Sequence, residues 1–412
     1  MTSLFEKKLL DEIKGFRNKK ILVAFSGGAD STALLYALYK NNYNIIACHV
    51  NHSLRGSFAE RDEKFCIDFC SRYKIELITK KVNVPEYVKN MNVSVEEAAR
   101  KLRYEQLIDT FYLSGSDFLF TAHHLDDLVE TFFIKIFQGS SIYNLKGFDM
   151  YKDFLKRPML GIEKSLILEF IESENIEYVT DETNFSCDYL RNWLRGNIIP
   201  HIASYNKGFI KNIVKIQDES ANLKSYLLNR TKDVKLHDMG FFFYGELRKI
   251  TALELFEQKF VLSEFLKRFF RVQKVHLENI LNIINSKGDS VRINLPKDCI
   301  FEKSYDKIYF FKKSVLKGFE YIKEKDEDSL EIREINKIIL FSGELVKERL
   351  VVRSRRHGDR FLGKKLKDLF IDKKIELFLR DTSCIVESFG KIIYVEMVSE
   401  NKNIKIQPLK QE

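Results

Sequence analysis

The chain has 412 residues, 45% hydrophobic and 31% charged, with a formal net charge of +9. That length suits about two to four domains, each with its own core, and the composition is that of an ordinary globular protein. No apolar run reaches the roughly 18 residues that span a bilayer, and residues 1–8 lead into an amphipathic stretch with no signal-peptide core. No membrane partner and a cytoplasmic location are therefore expected.

Residues 21–25, Ile-Leu-Val-Ala-Phe, form a short apolar run with strand character. Ser26-Gly27-Gly28-Ala29-Asp30-Ser31 follows, and Thr32 to Tyr39 then reads as a helix. A strand, a small-residue turn and a helix start make a phosphate cradle. Glycine lets the backbone approach a ligand, and the helix presents free N–H groups and its positive dipole end to an anion. Asp30 would repel phosphate unless it holds a cation such as Mg²⁺ or caps the helix. No Gly-Lys-Ser or Gly-Lys-Thr follows, which excludes the P-loop, and no G-x-G-x-x-G is present. The run S-G-G-x-D-S resembles the signature of pyrophosphate-loop enzymes, which cleave ATP between its α and β phosphates.

Strands are predicted at 21–25, 45–50, 75–82 and 117–122, and helices at 31–40, 57–73, 94–114 and 124–138. The alternation predicts an α/β fold, a doubly wound parallel sheet with helices on both faces. Such sheets bind ligands at the carboxyl ends of their strands. Polar clusters fall there at 26–31, 49–56 and 123–127, and a strand order 3-2-1-4 brings all three to one crevice.

Each cluster has two readings. His52 and Arg55 either contact adenosine or phosphates, or sit in a loop whose polar groups satisfy one another. Arg100 and Arg103, on one face of a helix capped by Ser94, either grip phosphate or pair in solvent with Glu96 and Glu97. His123 and Asp127, four apart, are expected on one helix face, for acid–base work or for Mg²⁺. The other reading there is a helix cap with a surface pair. No third ligand at zinc spacing is visible.

Residues 140–200 read as a loop followed by helices, closing on a segment in which Arg191 and Arg195 form a basic pair. A long helix is expected at about 207–233, helices at 251–270 and 275–286, and strands at 290–294 and 299–312. Lys323 to Ser329 reads as a solvated charged linker. Residues 330–405 form a small mixed domain with strands at 337–341, 349–353 and 391–397. The predicted division is 1–205, an α-rich 206–325 and a small α+β domain at 326–412. Residues 353–367 hold seven Lys/Arg and one Asp. Arg353, Arg355, Arg356, Arg360, Lys364 and Lys365 suit a phosphate backbone, or else a solvated face. The six cysteines are scattered without a C-x-x-C, and Cys66 and Cys70 read as core residues.

Taken together, "SGGADS", "HVNHSLRG", "EEAARKLRY", "AHHLDD" with Glu130-Thr131, "RPML" (157–160), "DETN" (181–184) and "RNWLRGNIIP" (191–200) resemble the tRNA(Ile)-lysidine synthase family, in its order. "DETN" departs from the family, which more often has proline or serine before the Asn. The resemblance implies an adenine nucleotide alpha-hydrolase-like catalytic domain at 1–205 and two tRNA-binding domains after it. It implies ATP as substrate with Mg²⁺, free L-lysine, and tRNA(Ile) with anticodon CAU, with a homodimer left open. The wobble cytidine would be adenylated with loss of pyrophosphate, and the lysine side-chain amine would then displace AMP. Residues 26–31 would bind ATP. Asp30 and Asp127 would hold the metal, and Asp30, Arg100, Arg103, His123 and Asp127 would serve catalysis. Arg191, Arg195 and the 353–365 cluster would contact tRNA. A tRNA thiolase of the same loop family and a non-catalytic tRNA-binding protein are the alternatives.

Overall fold

The computed structural model describes residues 2–54, 57–91, 93–180, 190–206 and 208–409. Arg55, "DETN" and Cys187 lie outside them. The chain divides into two units, Met1–Lys224 and Ser225–Glu412.

In the first unit α1 (Leu4–Ile13) precedes β1 (Lys20–Ala24), α2 (Ala29–Lys40), β2 (Asn44–Asn51), α3 (Ser57–Arg72) and β3 (Glu76–Lys81). There follow α4 (Val84–Met91), α5 (Val95–Ser114), β4 (Phe118–Phe120), α6 (Leu125–Phe137), β5 (Tyr151–Lys152), β6 (Leu155–Lys156) and α7 (Lys164–Ser173). After these come α8 (Leu190–Trp193), a π-turn at Leu194–Ile198, α9 (Ile199–Tyr205) and α10 (Phe209–Arg230), whose last residues belong to the second unit. The sheet order is β3-β2-β1-β4-β6-β5, which contains the predicted 3-2-1-4. Pairing is parallel from β3 to β6, and β5 adds an antiparallel edge.

Alternation along β1 shows why both sheet faces are covered. Ile21, Val23 and Phe25 enter a core with Leu9, Leu34, Cys66, Phe69, Ile167 and Phe170. Leu22 enters the opposite one with Ile46, Cys48, Leu107, Phe111 and Leu119. Side chains two apart share a face, so a strand apolar at every position must be buried twice.

The second unit opens with β7 (His237–Asp238), β8 (Phe242–Glu246), α11 (Leu247–Thr251), α12 (Leu255–Leu266) and α13 (Lys274–Ile284). Next come β9 (Ser290–Leu295), β10 (Cys299–Ser304), β11 (Lys307–Lys312), β12 (Glu320–Lys323), β13 (Ser329–Ile332), β14 (Lys337–Phe341) and β15 (Leu350–Arg353). It ends with β16 (Arg360–Phe361), β17 (Lys364–Lys365), α14 (Leu366–Asp372), α15 (Leu377–Asp381), β18 (Ile385–Ser388), β19 (Lys391–Val395) and β20 (Ile404–Pro408). Antiparallel sheets run β7-β8-β11-β10-β9, β12-β15-β18-β19 and β13-β14-β20. Leu262, Leu266, Ile280 and Ile284 pack onto Phe301 and Phe310 of the first sheet.

The strand expected at 299–312 is a hairpin that turns at Tyr305, where φ is +50°. The charged linker is corrected at its first residue. Lys323 closes β12 with no solvent exposure. Its ammonium donates to the carbonyls of Leu345 (3.0 Å), Val346 (2.6 Å) and Glu348 (3.0 Å), so all three donors are used.

Candidate active site

The turn between β1 and α2 is built by its small residues. Gly27 has φ +82°, and a Cβ there would lie 3.1 Å from both Cys66 Sγ and the Phe65 ring, so glycine is required twice over. Gly28 is the N-cap of α2 and has no side chain with which to cap it, which leaves first-turn N–H groups for an anion. Ser31 Oγ staples the loop: it accepts from Ser26 N (3.2 Å), lies 3.0 Å from Ser26 Oγ and donates to Gly28 O (3.0 Å). Thr32 Oγ1 donates to Gly27 O at 3.1 Å.

A cavity of about 440 Å³ opens at this edge of the sheet. Ser26, Gly28, Asp30, Ser31, His52, Arg103, Tyr104, His123 and Asp127 are among its lining residues. The three predicted polar clusters therefore converge. Arg100 is not among the lining residues; its guanidinium lies over Tyr104 (5.5 Å) and Phe148 (5.9 Å). Arg103 also lies over Tyr104, at 5.6 Å. Burial, with Arg100 and Arg191 nearby, lowers the Arg103 pKa, against the pull of Tyr104 and Asp127.

The pairing of His123 with Asp127 on one helix face is corrected. α6 begins at Leu125 with His124 as its N-cap, so His123 precedes the helix and the four-residue spacing does not apply. His123 Nδ1 lies 2.9 Å from Thr121 Oγ1, and its ring is 4.8 Å from Phe148. His124 instead joins the two aspartates: its Nε2 is 3.7 Å from Asp30 Oδ2 and 3.7 Å from Asp127 Oδ2. Its backbone N–H also donates to Asp127 Oδ2 at 2.9 Å, so Asp127 caps the helix while lining the cavity. Burial alone would lower the His124 pKa, but Asp126, Asp127 and Asp30 outweigh it and raise it.

Lys164, at the start of α7, donates to Asp30 Oδ1 through its ammonium and to Asp126 Oδ2 through its backbone N–H at 2.9 Å. Buried Glu130 accepts from Arg195 Nε at 2.6 Å and lies 3.5 Å from Arg191 Nε. Arg195 also approaches Asp127, at 3.9 Å. The basic pair expected on an RNA-facing helix is thus tied to the acidic cluster beside the cavity.

Among the described residues no group of three or more His, Cys, Asp or Glu forms a ready metal cage. Mg²⁺ does not need one, since it keeps several waters and is held by one or two carboxylates plus phosphates. Asp30 and Asp127, both 3.7 Å from the same ring nitrogen, fit that role.

His123 is held neutral. Burial and the charges of Arg157, Arg103, Arg100 and Arg191 push its pKa from 6.5 down to about 3. The unfolded chain takes up this proton near pH 6.5, so stability falls as pH drops from about 6.5 towards 3. His123→Asn is expected to flatten that acid-side loss, as read from urea midpoints at about pH 7 and pH 5. Parallel losses in both proteins would refute it.

The basic cluster in the second unit is not uniform. Arg353 is 3% exposed, bonds both oxygens of Asp359 at 2.9 Å and also bonds Glu387. It is a buried structural cation and leaves the RNA-facing set. Arg355 pairs with Asp381 at 2.8 Å, and Arg356 pairs with Glu320. Arg360, Lys364 and Lys365 are exposed.

A PP-loop domain model matches residues 1–202. The tRNA(Ile)-lysidine synthase of Persephonella marina is 30% identical, aligned over 95% of this chain and 94% of that one. That of Clostridium tetani is 30% identical over 95% and 92%. That of Petrotoga mobilis is 33% identical over 71% of this chain and 98% of its own. A pyrophosphate loop on a parallel sheet, aligned relatives along nearly the whole chain and one acid-lined cavity agree: the chain belongs to the tRNA(Ile)-lysidine synthase family.

Proposed function

We propose that the protein ligates L-lysine to C2 of the wobble cytidine of tRNA(Ile) with anticodon CAU, using ATP and passing through an adenylated cytidine. One observation carries the reading: in a member of this family, Ser26, Gly28, Asp30, Ser31, His123 and Asp127 line one cavity, with Asp30 and Asp127 flanking His124. A cytosine carbonyl is a poor electrophile until its oxygen becomes a phosphate ester. The lysine amine can then displace AMP.

Backbone N–H groups from Ser26 to Ser31 would bind the ATP phosphates. Asp30 and Asp127 would hold Mg²⁺, which when bound offsets phosphate charge. Arg103, lining the cavity, would stabilise charge developing at the α-phosphate, with Arg100 held beside it through Tyr104. Neutral His123 would position the base through its hydrogen-bonding ring. The second unit would hold the tRNA. Among the described residues no helix is long and apolar enough to cross a membrane.

A thiolase reading finds no support among the described residues. Cys66 and Cys70 are buried, and burial pushes both thiols up, Cys70 to about 12, whereas reactive thiols are exposed and acidic. The direct test incubates the protein with tRNA(Ile)(CAU) transcript, ATP and labelled lysine. Label should enter the tRNA with one AMP and one pyrophosphate for each lysine. Pyrophosphate release without label in the tRNA would sink the proposal.

A further inference from the structure

Two tight hairpins of the second unit carry residues that the turn itself disfavours. β16 and β17 pair Arg360 with Lys365 and Phe361 with Lys364, so Leu362 and Gly363 alone form the loop. Their φ angles are +51° and +80°. Two-residue turns with both φ positive favour Asn-Gly or Asp-Gly, because left-handed backbone crowds a bulky side chain. Leu362 occupies the first position and is 83% exposed, so it gains no packing that would offset the strain. The β18–β19 turn repeats the choice with Phe389 at φ +49°, followed by Gly390 at +75°. Phe389 is 94% exposed. Stability alone would place asparagine at both tips.

The β16–β17 hairpin is firmly based. Phe361 and Leu366 are buried with Phe370, Ile385 and Val395, and Arg360 donates across the turn to Gly363 O at 3.1 Å. Its outer edge is cationic, with Arg360, Lys364 and Lys365 exposed and Asp372 3.7 Å from Lys364. A rigid tip with an apolar point between cations suits RNA. Phosphates take the cations, and a base or ribose face takes the apolar side chain. A lipid surface is a poorer match, because one leucine buries far too little apolar area to anchor a protein.

We propose that the Arg360–Lys365 hairpin is an apolar-tipped finger that grips tRNA, Leu362 packing on a base or ribose face while Arg360, Lys364 and Lys365 hold phosphates. The proposal rests on the tRNA reading above and adds a contact that no charge pattern would reveal.

The test uses the full chain and tRNA(Ile)(CAU) transcript, with affinity measured across a salt series. Leu362→Asn relieves the turn, so its Tm should equal or exceed that of the wild type. Its affinity should fall about five- to ten-fold with the salt slope unchanged, because an apolar contact and no charge is lost. Lys364→Gln with Lys365→Gln should instead reduce the slope by up to about two. Wild-type affinity in the folded Leu362→Asn protein overturns the finger. So does a variant that changes only self-association, or only binding to anionic vesicles. Wild-type protein that modifies the transcript while Leu362 proves indifferent loses the finger and keeps the proposed function. Wild-type protein that neither holds nor modifies tRNA loses both.

Discussion

Asp30→Ala is expected to cut ATP-dependent pyrophosphate release by at least on the order of 10²–10³-fold, the scale seen when one preorganised charge-stabilising group is removed. Transcript affinity should stay within about two-fold, because the residue belongs to the cavity of the first unit. The chain should also remain folded. Asp30 sits in the first turn of α2 with its side chain 31% exposed, where a carboxylate contributes about 0.3–1 kcal/mol through the helix dipole. Its partners respond differently to the loss. Lys164 is freed towards solvent, whereas buried His124 keeps Asp126 and Asp127. Pyrophosphate assays and filter binding on the same preparation decide the matter. Wild-type turnover would remove Asp30 from catalysis, and lost tRNA binding with intact turnover would reverse the assignment.

Arg353→Ala should produce the largest loss of stability, about 3–5 kcal/mol, because it strands Asp359 and Glu387 against a guanidinium-shaped void. Asp359 also accepts from Arg356 N, so the turn after β15 loses its anchor as well. The contrast lies with Arg355, Arg356 and Arg360. Replacing those three together with glutamine should weaken tRNA binding and flatten its salt dependence, with little change in Tm. Urea melts and salt titrations on both proteins separate the roles. An Arg353→Ala protein as stable as wild type, but poor at holding tRNA, would return Arg353 to the RNA-facing set.

These two expectations mark where sequence stops being informative. The β1–turn–α2 unit is legible because an apolar strand, two glycines and a helix pattern are contiguous. The order 3-2-1-4 follows because alternating strands and helices admit few arrangements. Two adjacent histidines, by contrast, look equivalent in sequence. Only the position at which α6 begins makes His124 the neighbour of both aspartates and leaves His123 among arginines. Lys164 is 134 positions from Asp30, and no local pattern could couple them. The "AHHLDD" run carries the signal for His124 and Asp126, and "RPML" contains Arg157; nothing equivalent marks Phe148 or Lys164. The burial of Arg353 and Lys323 escapes the sequence for the same reason. A charge in a charged run looks solvated until the acceptors that surround it are known, and those come from distant segments.

Lys323 has a consequence in the vocabulary of synthesis. Its ammonium is closed off by three backbone carbonyls, while Lys364, Lys365 and Lys391 of the same unit are exposed. The tertiary fold acts on this amine as a protecting group, leaving it chemically silent in a lysine-rich chain and unmasked only when the strand beside it lets go.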